Sequence, residues 1–268
     1  MSSAVSRRGL SALAKSVGRL LGSTAFRTLG QRSPPYVRKN ETIMSYHFQS
    51  GGIRLPASSR SNRKTQVGST KHFTGGLVLG DQEGVRLGTE SHLETNAALL
   101  LGYRATTLDL VEQVQFAWYD EHGEFFDHFI DLVVTRIDGT ICGYAVRPAS
   151  RVSQAYQCKL ARIKEQAIAQ CFLDDFRLFT EEDVCPVALH NAKLFHSVRR
   201  PDAFADPVAL DVLADAPIVT TIGDLVDRTR LEGMGFRAVV RLIRSGHLQM
   251  LRHERMERST EVLRARMS

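Results

Sequence analysis

The central part of the sequence, residues 85–200, shows two hydrophobic spacings. From Thr89 to Gly102, leucine and alanine recur every three or four residues, which predicts a helix with one buried face. Residues 106–147 are rich in Val, Phe, Tyr and Trp and are interrupted by turn sequences, which favours strands. The whole pattern predicts helices over 89–102, 152–171 and 186–198 and strands over 106–119, 125–135, 140–147 and 176–179. This order is typical of an α/β fold.

The pattern changes after residue 200. Three prolines within 201–219 favour a connector with one short helix. Two further helices are predicted over 221–230 and 234–245, followed by the start of a strand at 247–250, which is the outline of a winged helix-turn-helix. The second helix is expected to bury its apolar face and to expose three arginines, Arg237, Arg241 and Arg244. The mixture of Arg and Glu over 252–266 favours a final helix.

Composition and charge narrow the class of protein. The chain has 268 residues, of which 43% are hydrophobic and 24% charged, and this excludes a collagen-like, coiled-coil or wholly disordered chain. Residues 1–80 hold 13 basic residues and one acid, and residues 227–268 hold ten arginines and five acids, whereas the middle is acidic. Basic ends on an acidic body indicate a polyanionic partner such as nucleic acid, and solvated basic tails would give the same pattern.

Four short motifs lie on the predicted elements in a definite order. They are SHLE at 91–94, EQ at 112–113, DLVV at 131–134 followed by DG at 138–139, and YAVRP at 144–148. Over residues 85–200 they resemble the nuclease domain of the TnsA-type transposon endonucleases, within the PD-(D/E)xK superfamily. The resemblance implies a restriction-endonuclease-like core, which is a mixed sheet flanked by helices. The pattern after it adds a connector over 201–219 and a small C-terminal winged helix-turn-helix domain over 220–268.

The resemblance also implies a divalent-cation site at Glu94 and Asp131. Phosphodiester hydrolysis needs a hard cation such as Mg²⁺, and carboxylates are its preferred protein ligands. The family pattern completes the site with an acid or amide and a lysine on the next strand, but those positions are Ala145 and Arg147 here. Arg147 takes the position of the catalytic lysine, although an arginine stays charged and cannot act as a base. Asp127, four residues before Asp131, is an alternative third ligand.

A different interpretation retains the fold without the chemistry. In that case Arg147 lies between Glu94 and Asp131 and replaces the charge of the cation. The exposed arginines Arg237 and Arg241 would contact DNA phosphates or guanine edges if the C-terminal domain binds DNA. If it does not, they form a solvated face or a surface for a protein partner.

Residues 1–76 are predicted to be a flexible basic arm. The first 40 hold eight basic residues and no acid, so an organelle transit peptide and a helix on a membrane surface are both open. We favour a third interpretation, a natural start at Met44, because the resemblance is to a bacterial family. No apolar run approaches the roughly 18 residues of a membrane span, and the four cysteines have no metal-binding spacing. We therefore expect a cytoplasmic protein without a membrane segment.

The sequence thus predicts a TnsA-like endonuclease component that acts on DNA with Mg²⁺ and with transposase and ATPase partner subunits. The alternative is a catalytically inactive protein of the same fold that binds DNA or serves as a scaffold. Ala145 and Arg147 separate the two, since a nuclease needs replacements for the missing ligand and base.

Overall fold

The computed structural model describes residues 54–63 and 73–265. The expected start at Met44 and the transit-like or membrane-surface helix within 1–40 lie outside the described residues, as does most of the basic arm. None of the helices within the described ranges is long and apolar enough to cross a membrane.

A mixed four-stranded sheet forms the centre of residues 73–197, which we call the first part of the structure. Its strands, in the order β3-β4-β5-β6, are β3 (Thr107–Tyr119), β4 (Phe125–Arg136), β5 (Ile141–Val146) and β6 (Asp175–Phe179). The first three are antiparallel and the last is parallel to β5. The flanking helices are α1 (His92–Gly102), α2 (Gln154–Ala169) and α3 (Pro186–Ser197). The predicted α/β fold, with a mixed sheet flanked by helices, is confirmed.

A small antiparallel hairpin precedes α1 and is not among the predicted elements. Its strands are β1 (Gly75–Leu79) and β2 (Val85–Thr89). The turn between them contains Gly84 at φ +70, where an added Cβ would lie 2.5 Å from the carbonyl oxygen of Leu79. Glycine is therefore required at this position for the turn to close.

Local sequence explains where the main elements begin and turn. The β4–β5 turn contains Gly139 at φ +83, a left-handed conformation that other residues rarely adopt. Ser91 and Ser153 precede α1 and α2, and each side chain accepts the backbone N–H of the third residue of its helix. The parallel pairing of β5 and β6 requires a long crossover, which α2 provides.

The hydrophobic core of this part lies between the sheet, α1 and α3. Helix α1 contributes the buried residues Ala97, Ala98, Leu100 and Leu101. The sheet contributes Leu110, Leu132, Val134, Cys142, Tyr144 and Phe179. Ala188 and Leu189 of α3 pack against this cluster. The packing holds α1 against β4, so the first turn of the helix has a fixed position relative to that strand.

Residues 198–265 build a second hydrophobic core. Its elements are α4 (Ala205–Ala214), β7 (Val219–Thr221), α5 (Ile222–Thr229), α6 (Glu232–Arg244), β8 (Leu248–Met250) and β9 (Glu261–Arg264). The three strands form an antiparallel sheet in the order β7-β9-β8. The cluster includes Ala205, Ala209 and Leu213 of α4, so the segment expected as a connector supplies a wall of this core.

The chain end differs from its predicted form. The expected helix over 252–266 is wrong, because residues 261–264 form β9 between β7 and β8. Val262 is fully buried and Met256 is 4% exposed, so the apolar residues of this charged segment are used for packing. Charge alternation alone does not distinguish a helix from a strand whose side chains point to alternate faces.

A short segment before the first strand lies along β3, and we call residues 54–63 the strap. Ala57 forms a bridge to Val85 of β2. Three hydrogen-bonded contacts join the strap to β3. Ser59 Oγ donates to Glu112 Oε1 at 2.5 Å, and Arg60 donates to both oxygens of Asp109 at 2.5 and 2.7 Å. The backbone N–H of Asn62 donates to Gln113 O at 3.1 Å. This part of the arm, expected to be flexible, is therefore hydrogen-bonded to the sheet.

Candidate functional site

Three polar side chains meet near the middle of the sheet. Glu94 lies in the first turn of α1, Asp131 lies in β4, and Gln113 lies beside Asp131 on β3. The Gln113 Nε2 atom donates to Asp131 Oδ1 at 3.2 Å. The charges of Glu94 and Asp131 affect each other, which places the two carboxylates the sequence predicted as ligands in one environment.

Asp131 is the most perturbed carboxyl group of this site. Burial, with a smaller contribution from the nearby Glu94 charge, raises its pKa to about 7. Hydrogen bonds oppose the rise, since Asp131 Oδ2 accepts the backbone N–H of Val146 at 2.8 Å. An ionised Asp131 is therefore short of compensating positive charge.

Glu94 has a structural role at the start of α1. Its Oε2 accepts the backbone N–H of Glu90 at 2.8 Å, and its Oε1 accepts the hydroxyl of Ser91 at 3.0 Å. Burial raises the pKa of Glu94 above its ordinary value, and the neighbouring Glu90 charge adds to this. The carboxylate thus helps to cap α1 while it faces the same site as Asp131.

Gln113 combines an unusual backbone with an unpaired side-chain atom. It has φ +49 within a strand, a left-handed conformation in which a glutamine is strained. Its Oε1 is buried and has no hydrogen-bond partner among the described residues. A buried acceptor of this kind beside the Asp131 carboxylate is an oxygen available to a ligand.

The strap brings a positively charged side chain, Arg63, to the same site. Arg63 Nη2 lies 2.7 Å from Glu90 Oε2, and its guanidinium lies 5.4 Å from the centre of the Phe129 ring. The Arg63 charge lowers the pKa of both Glu94 and Asp131, although less than burial raises it. Nothing in the arginine- and serine-rich sequence around residue 63 distinguishes Arg63 from its neighbours, so sequence reasoning did not identify it.

Arg147 is close to the site but turned away from the carboxylates. Its Nε donates to the carbonyl of Arg151 at 2.8 Å, and its guanidinium lies 4.2 Å from the centre of the Tyr156 ring. Arg147 forms no ion pair within the described ranges, so the arrangement with Arg147 between Glu94 and Asp131 is not found. Ala145 is buried and offers no ligand atom.

The alternative third ligand, Asp127, lies toward the exposed end of β4. It pairs across the sheet with Ala117 and is exposed. Four residues of strand separate it from Asp131 by about 13 Å. Asp127 is therefore too far away to share a cation with Asp131.

The arginines of α6 differ from their expected exposure. Arg241 Nε donates to Asp206 Oδ1 at 2.6 Å, and its side chain is only 12% exposed. Arg237 Nη2 donates to the carbonyl of Ser197 at 3.3 Å. The expectation that the arginines of α6 lie on an open outer face is wrong for Arg241, because α6 lies against α4 and the end of α3, and for Arg244, whose side chain is only 24% exposed.

Arg244 connects α6 to the first part of the structure. It forms an ion pair with Asp81 in the β1–β2 turn and donates to the carbonyl of Arg199 at 3.1 Å. Its guanidinium also lies 5.3 Å from the centre of the Tyr103 ring at the end of α1. In this structure Arg244 holds parts of the chain together, and a role in DNA contact stays a prediction.

The donor set around Asp131 determines which ion the site suits. The described residues contain no group of three or more His, Cys, Asp or Glu side chains suited to a metal. Two carboxylates with the unpaired amide oxygen of Gln113 give an all-oxygen set, which fits Mg²⁺ or Mn²⁺ and does not fit Zn²⁺. Mg²⁺ usually keeps several waters and needs few protein ligands, so a small set is sufficient.

No family model and no curated protein matches the chain. The resemblance to TnsA-type endonucleases therefore stays a prediction, and the chemistry of the site itself carries the functional proposal.

Proposed function

We propose that this protein is a nuclease-fold component of the TnsA type that acts on DNA, with Mg²⁺ held by Glu94 and Asp131. The observation that carries the proposal is the buried Asp131, with a pKa of about 7, beside Glu94 and the unpaired Gln113 oxygen. Uncompensated carboxylates inside a protein are expected where a cation or a proton completes the site.

Each residue of the site has a distinct task in this proposal. Glu94 and Asp131 supply charged ligands, and Gln113 replaces the ligand missing at Ala145. Arg63 is placed to neutralise a phosphate oxygen at the edge of the site. When bound, Mg²⁺ would act as a Lewis acid on the phosphate and its attacking water. Arg147 positions the end of β5 through Arg151 and Tyr156 and is not the base.

The order of elements in residues 205–264 supports the second part of the proposal. Helix α4, strand β7, helices α5 and α6, and strands β8 and β9 follow the order of a winged helix-turn-helix. We therefore assign this module to DNA contact within an assembly that includes transposase and ATPase subunits, in the cytoplasm. The arrangement of the arginines favours contact with the DNA backbone over base reading by an exposed helix.

Cation binding is the first test of this site. Titration calorimetry with Mn²⁺ alone should give binding to the wild-type protein, and Asp131→Asn and Gln113→Leu should each weaken it by roughly tenfold or more. Asp127→Asn is the matched control, because it removes a carboxylate from the same strand outside the site. Equal Mn²⁺ affinity in all four proteins would contradict the proposed ligands.

DNA cleavage tests the enzyme itself. Supercoiled DNA with Mg²⁺ or Mn²⁺ should be nicked by the wild-type protein, and nicking should vanish in Glu94→Ala and in Asp131→Ala. Nicking that persists equally in both variants would identify it as contamination and remove the proposed chemistry.

The second candidate function is a catalytically inactive DNA-binding or scaffolding protein. It is favoured by the buried Ala145 and by the orientation of Arg147, which leave the described site without a general base. Cation binding without nicking, even when transposase and ATPase partners are present, would favour this function over the nuclease.

A further inference from the structure

A cavity with four arginines lies apart from the carboxylate site. It has a volume of about 400 Å³ and lies between the end of α3, the segment after it and one face of α6. Arg199 and Arg200 border it from the segment after α3, and Arg237 and Arg241 border it from α6. Four guanidinium groups around one small cavity repel one another unless negative charge is placed among them.

The carboxylates nearby do not balance this charge. Asp206 takes one arginine, Arg241, at 2.6 Å. Asp202 also borders the cavity, but its Oδ1 accepts the backbone N–H groups of Phe204 and Ala205 at 3.0 and 2.9 Å. Asp81 and Glu83 interact with Arg199 and Arg200 through their charges, but each already has another arginine as its ion-pair partner. The four arginines of the cavity and the two aspartates beside them therefore leave an excess of two positive charges.

The remaining three arginines have no carboxylate partner in the described ranges. Arg199 Nη1 donates to the carbonyls of Gly80 and Gln82 at 3.1 and 2.9 Å, and Arg237 has only the carbonyl of Ser197. Arg200 is exposed and forms neither a hydrogen bond nor an ion pair with any residue that the structure describes. Arg200 and the free nitrogens of Arg237 are therefore available to an outside anion.

The positive charges around the cavity act on one another and on a nearby histidine. Burial lowers the pKa of His196, which borders the cavity, and the charges of Arg199 and Arg244 lower it further. Burial and the charge of Arg200 also lower the pKa of Arg199. Both shifts have the direction expected where positive groups are crowded together.

We propose that this cavity is a phosphate-binding site that holds the sugar–phosphate backbone of DNA through Arg200 and Arg237. Arg241, fixed by Asp206, and Arg199, fixed by the β1–β2 turn, shape the cavity from behind. The choice of DNA as the source of the phosphate rests on the proposed function, whereas the preference for a phosphate group rests on the charge of the cavity alone. In this geometry α6 lies along the backbone, and its arginines do not read bases.

The test compares DNA affinity in two double variants. Binding of a double-stranded oligonucleotide is followed by fluorescence anisotropy with EDTA over a series of salt concentrations, so cleavage plays no part. Arg200→Ala with Arg237→Ala should weaken binding by about tenfold or more. The slope of log affinity against log salt should fall by about two, because each of the two arginines neutralises one phosphate.

Arg104→Ala with Arg162→Ala is the matched control. Both side chains lie outside the cavity, on the loop after α1 and on α2, and the change in net charge is the same. The control should retain wild-type affinity and slope. Because Arg200 makes no hydrogen bond and Arg237 makes one, the test variant should keep the wild-type melting temperature, and Arg237→Lys should retain most of the affinity. Wild-type affinity in the test variant, or an equal loss in both double variants, would overturn the proposal.

A second arm separates DNA from free phosphate. The melting temperature is measured with inorganic phosphate against chloride at equal ionic strength. If phosphate stabilises the wild type but not the test variant, while both bind DNA equally, the cavity binds a free anion and its assignment to DNA is overturned. If the wild type binds no DNA at all, the proposed function fails. Phosphate stabilisation that the test variant lacks would then still support the anion site, and equal stabilisation of both proteins would overturn it.

Discussion

At the scale of single residues, two unfavourable features occur side by side at the candidate site. Gln113 has a strained backbone with φ +49, and its neighbour Asp131 is a buried carboxyl whose pKa is raised to about 7. Each of these features destabilises a fold, and both persist only where the surrounding structure holds them in place. Their combination on adjacent strands distinguishes this site from the other polar positions of the sheet.

The ionisation of Asp131 should make the cation-free protein less stable as the pH rises. An aspartate with a native pKa of about 7 and an unfolded pKa near 3.8 holds its proton longer in the folded state. The free energy of unfolding should therefore fall between these two values, by about 1.4 kcal/mol per pH unit at most, and level off above about pH 7. Glu94, whose pKa is also raised, contributes with the same sign.

Replacing Asp131 with asparagine should remove most of this dependence. In urea unfolding with EDTA, Asp131→Asn should be more stable than the wild type at about pH 8 by on the order of 1–4 kcal/mol, and the difference should shrink at about pH 5. His128, whose pKa burial lowers to about 4, destabilises the fold as the pH falls from about 6.5, but it does so equally in both proteins. An asparagine variant that is less stable at both values would contradict a buried, uncompensated carboxylate.

At the scale of elements, the strap determines whether Arg63 reaches the site. Its strongest attachment is the two-pronged contact of Arg60 with Asp109, since both oxygens accept from the guanidinium. Asn62 then joins β3 at Gln113 and two residues further on, through its backbone N–H to Gln113 O and through its side-chain oxygen to Gln115 N. The strap therefore supports the strained residue as well as carrying Arg63.

Arg60→Ala should release the strap while the sheet stays folded. Both side chains of the pair are partly exposed, at 36% and 42%, so the free energy of unfolding should fall by less than about 1 kcal/mol. Amide hydrogen exchange in peptides covering 54–63 and 113–115 should become faster. Arg54→Ala, which removes a more exposed pair with Glu83, is the control and should leave exchange at 113–115 unchanged. Unchanged exchange in Arg60→Ala would mean that the strap is held elsewhere.

The elements that were predicted correctly are those with a local signal. The turns at Gly123 and Gly139 and the runs of Val, Phe and Tyr give β3, β4 and β5 within a few residues of their observed ends. The strand at 261–264 was predicted as a helix because its pairing partners, β7 and β8, are distant in sequence or very short. The strap and Arg63 act through contacts about 30 to 50 residues away, which no local pattern shows.

The candidate site was predicted in part for the same reason. Glu94 and Asp131 carry recognisable motifs, and the structure places them in one environment. Gln113 was visible within a motif, but its strained φ and unpaired oxygen depend on the fold around it. The partial burial of Arg241 depends on α4, which the prolines of 201–219 made difficult to recognise as part of a core.

At the scale of the whole described structure, the first part of the chain and the C-terminal module meet along α3 and at the β1–β2 turn. Arg244 contacts Asp81 and lies over Tyr103, and Arg199 donates to the carbonyls of Gly80 and Gln82. These contacts tie the predicted DNA-binding module to the hairpin that leads into α1. The two cores should therefore unfold together and not as independent domains.

Arg244→Ala should weaken that coupling. We expect a fall in the free energy of unfolding of about 1–2 kcal/mol and a broader thermal transition, because the substitution removes a partly buried ion pair together with a cation–π interaction. Arg258→Ala, which removes an exposed pair with Asp227 inside the module, should change the free energy by less than about 0.5 kcal/mol and leave the transition sharp. If the two variants have equally sharp transitions in differential scanning calorimetry, Arg244 does not join the cores.

The hydrogen bonds from Arg199 to the β1–β2 turn also have an evolutionary consequence. Arg199 holds this turn through main-chain oxygens, which every amino acid possesses, so mutations at Glu83, and those at Gln82 that keep its left-handed φ of +52, can accumulate without loosening that hold. Selection should instead conserve Gly84, where any side chain would collide with the carbonyl of Leu79. Related sequences should therefore vary in the loop and keep this glycine together with the arginine, even where the residues around the carboxylates have diverged.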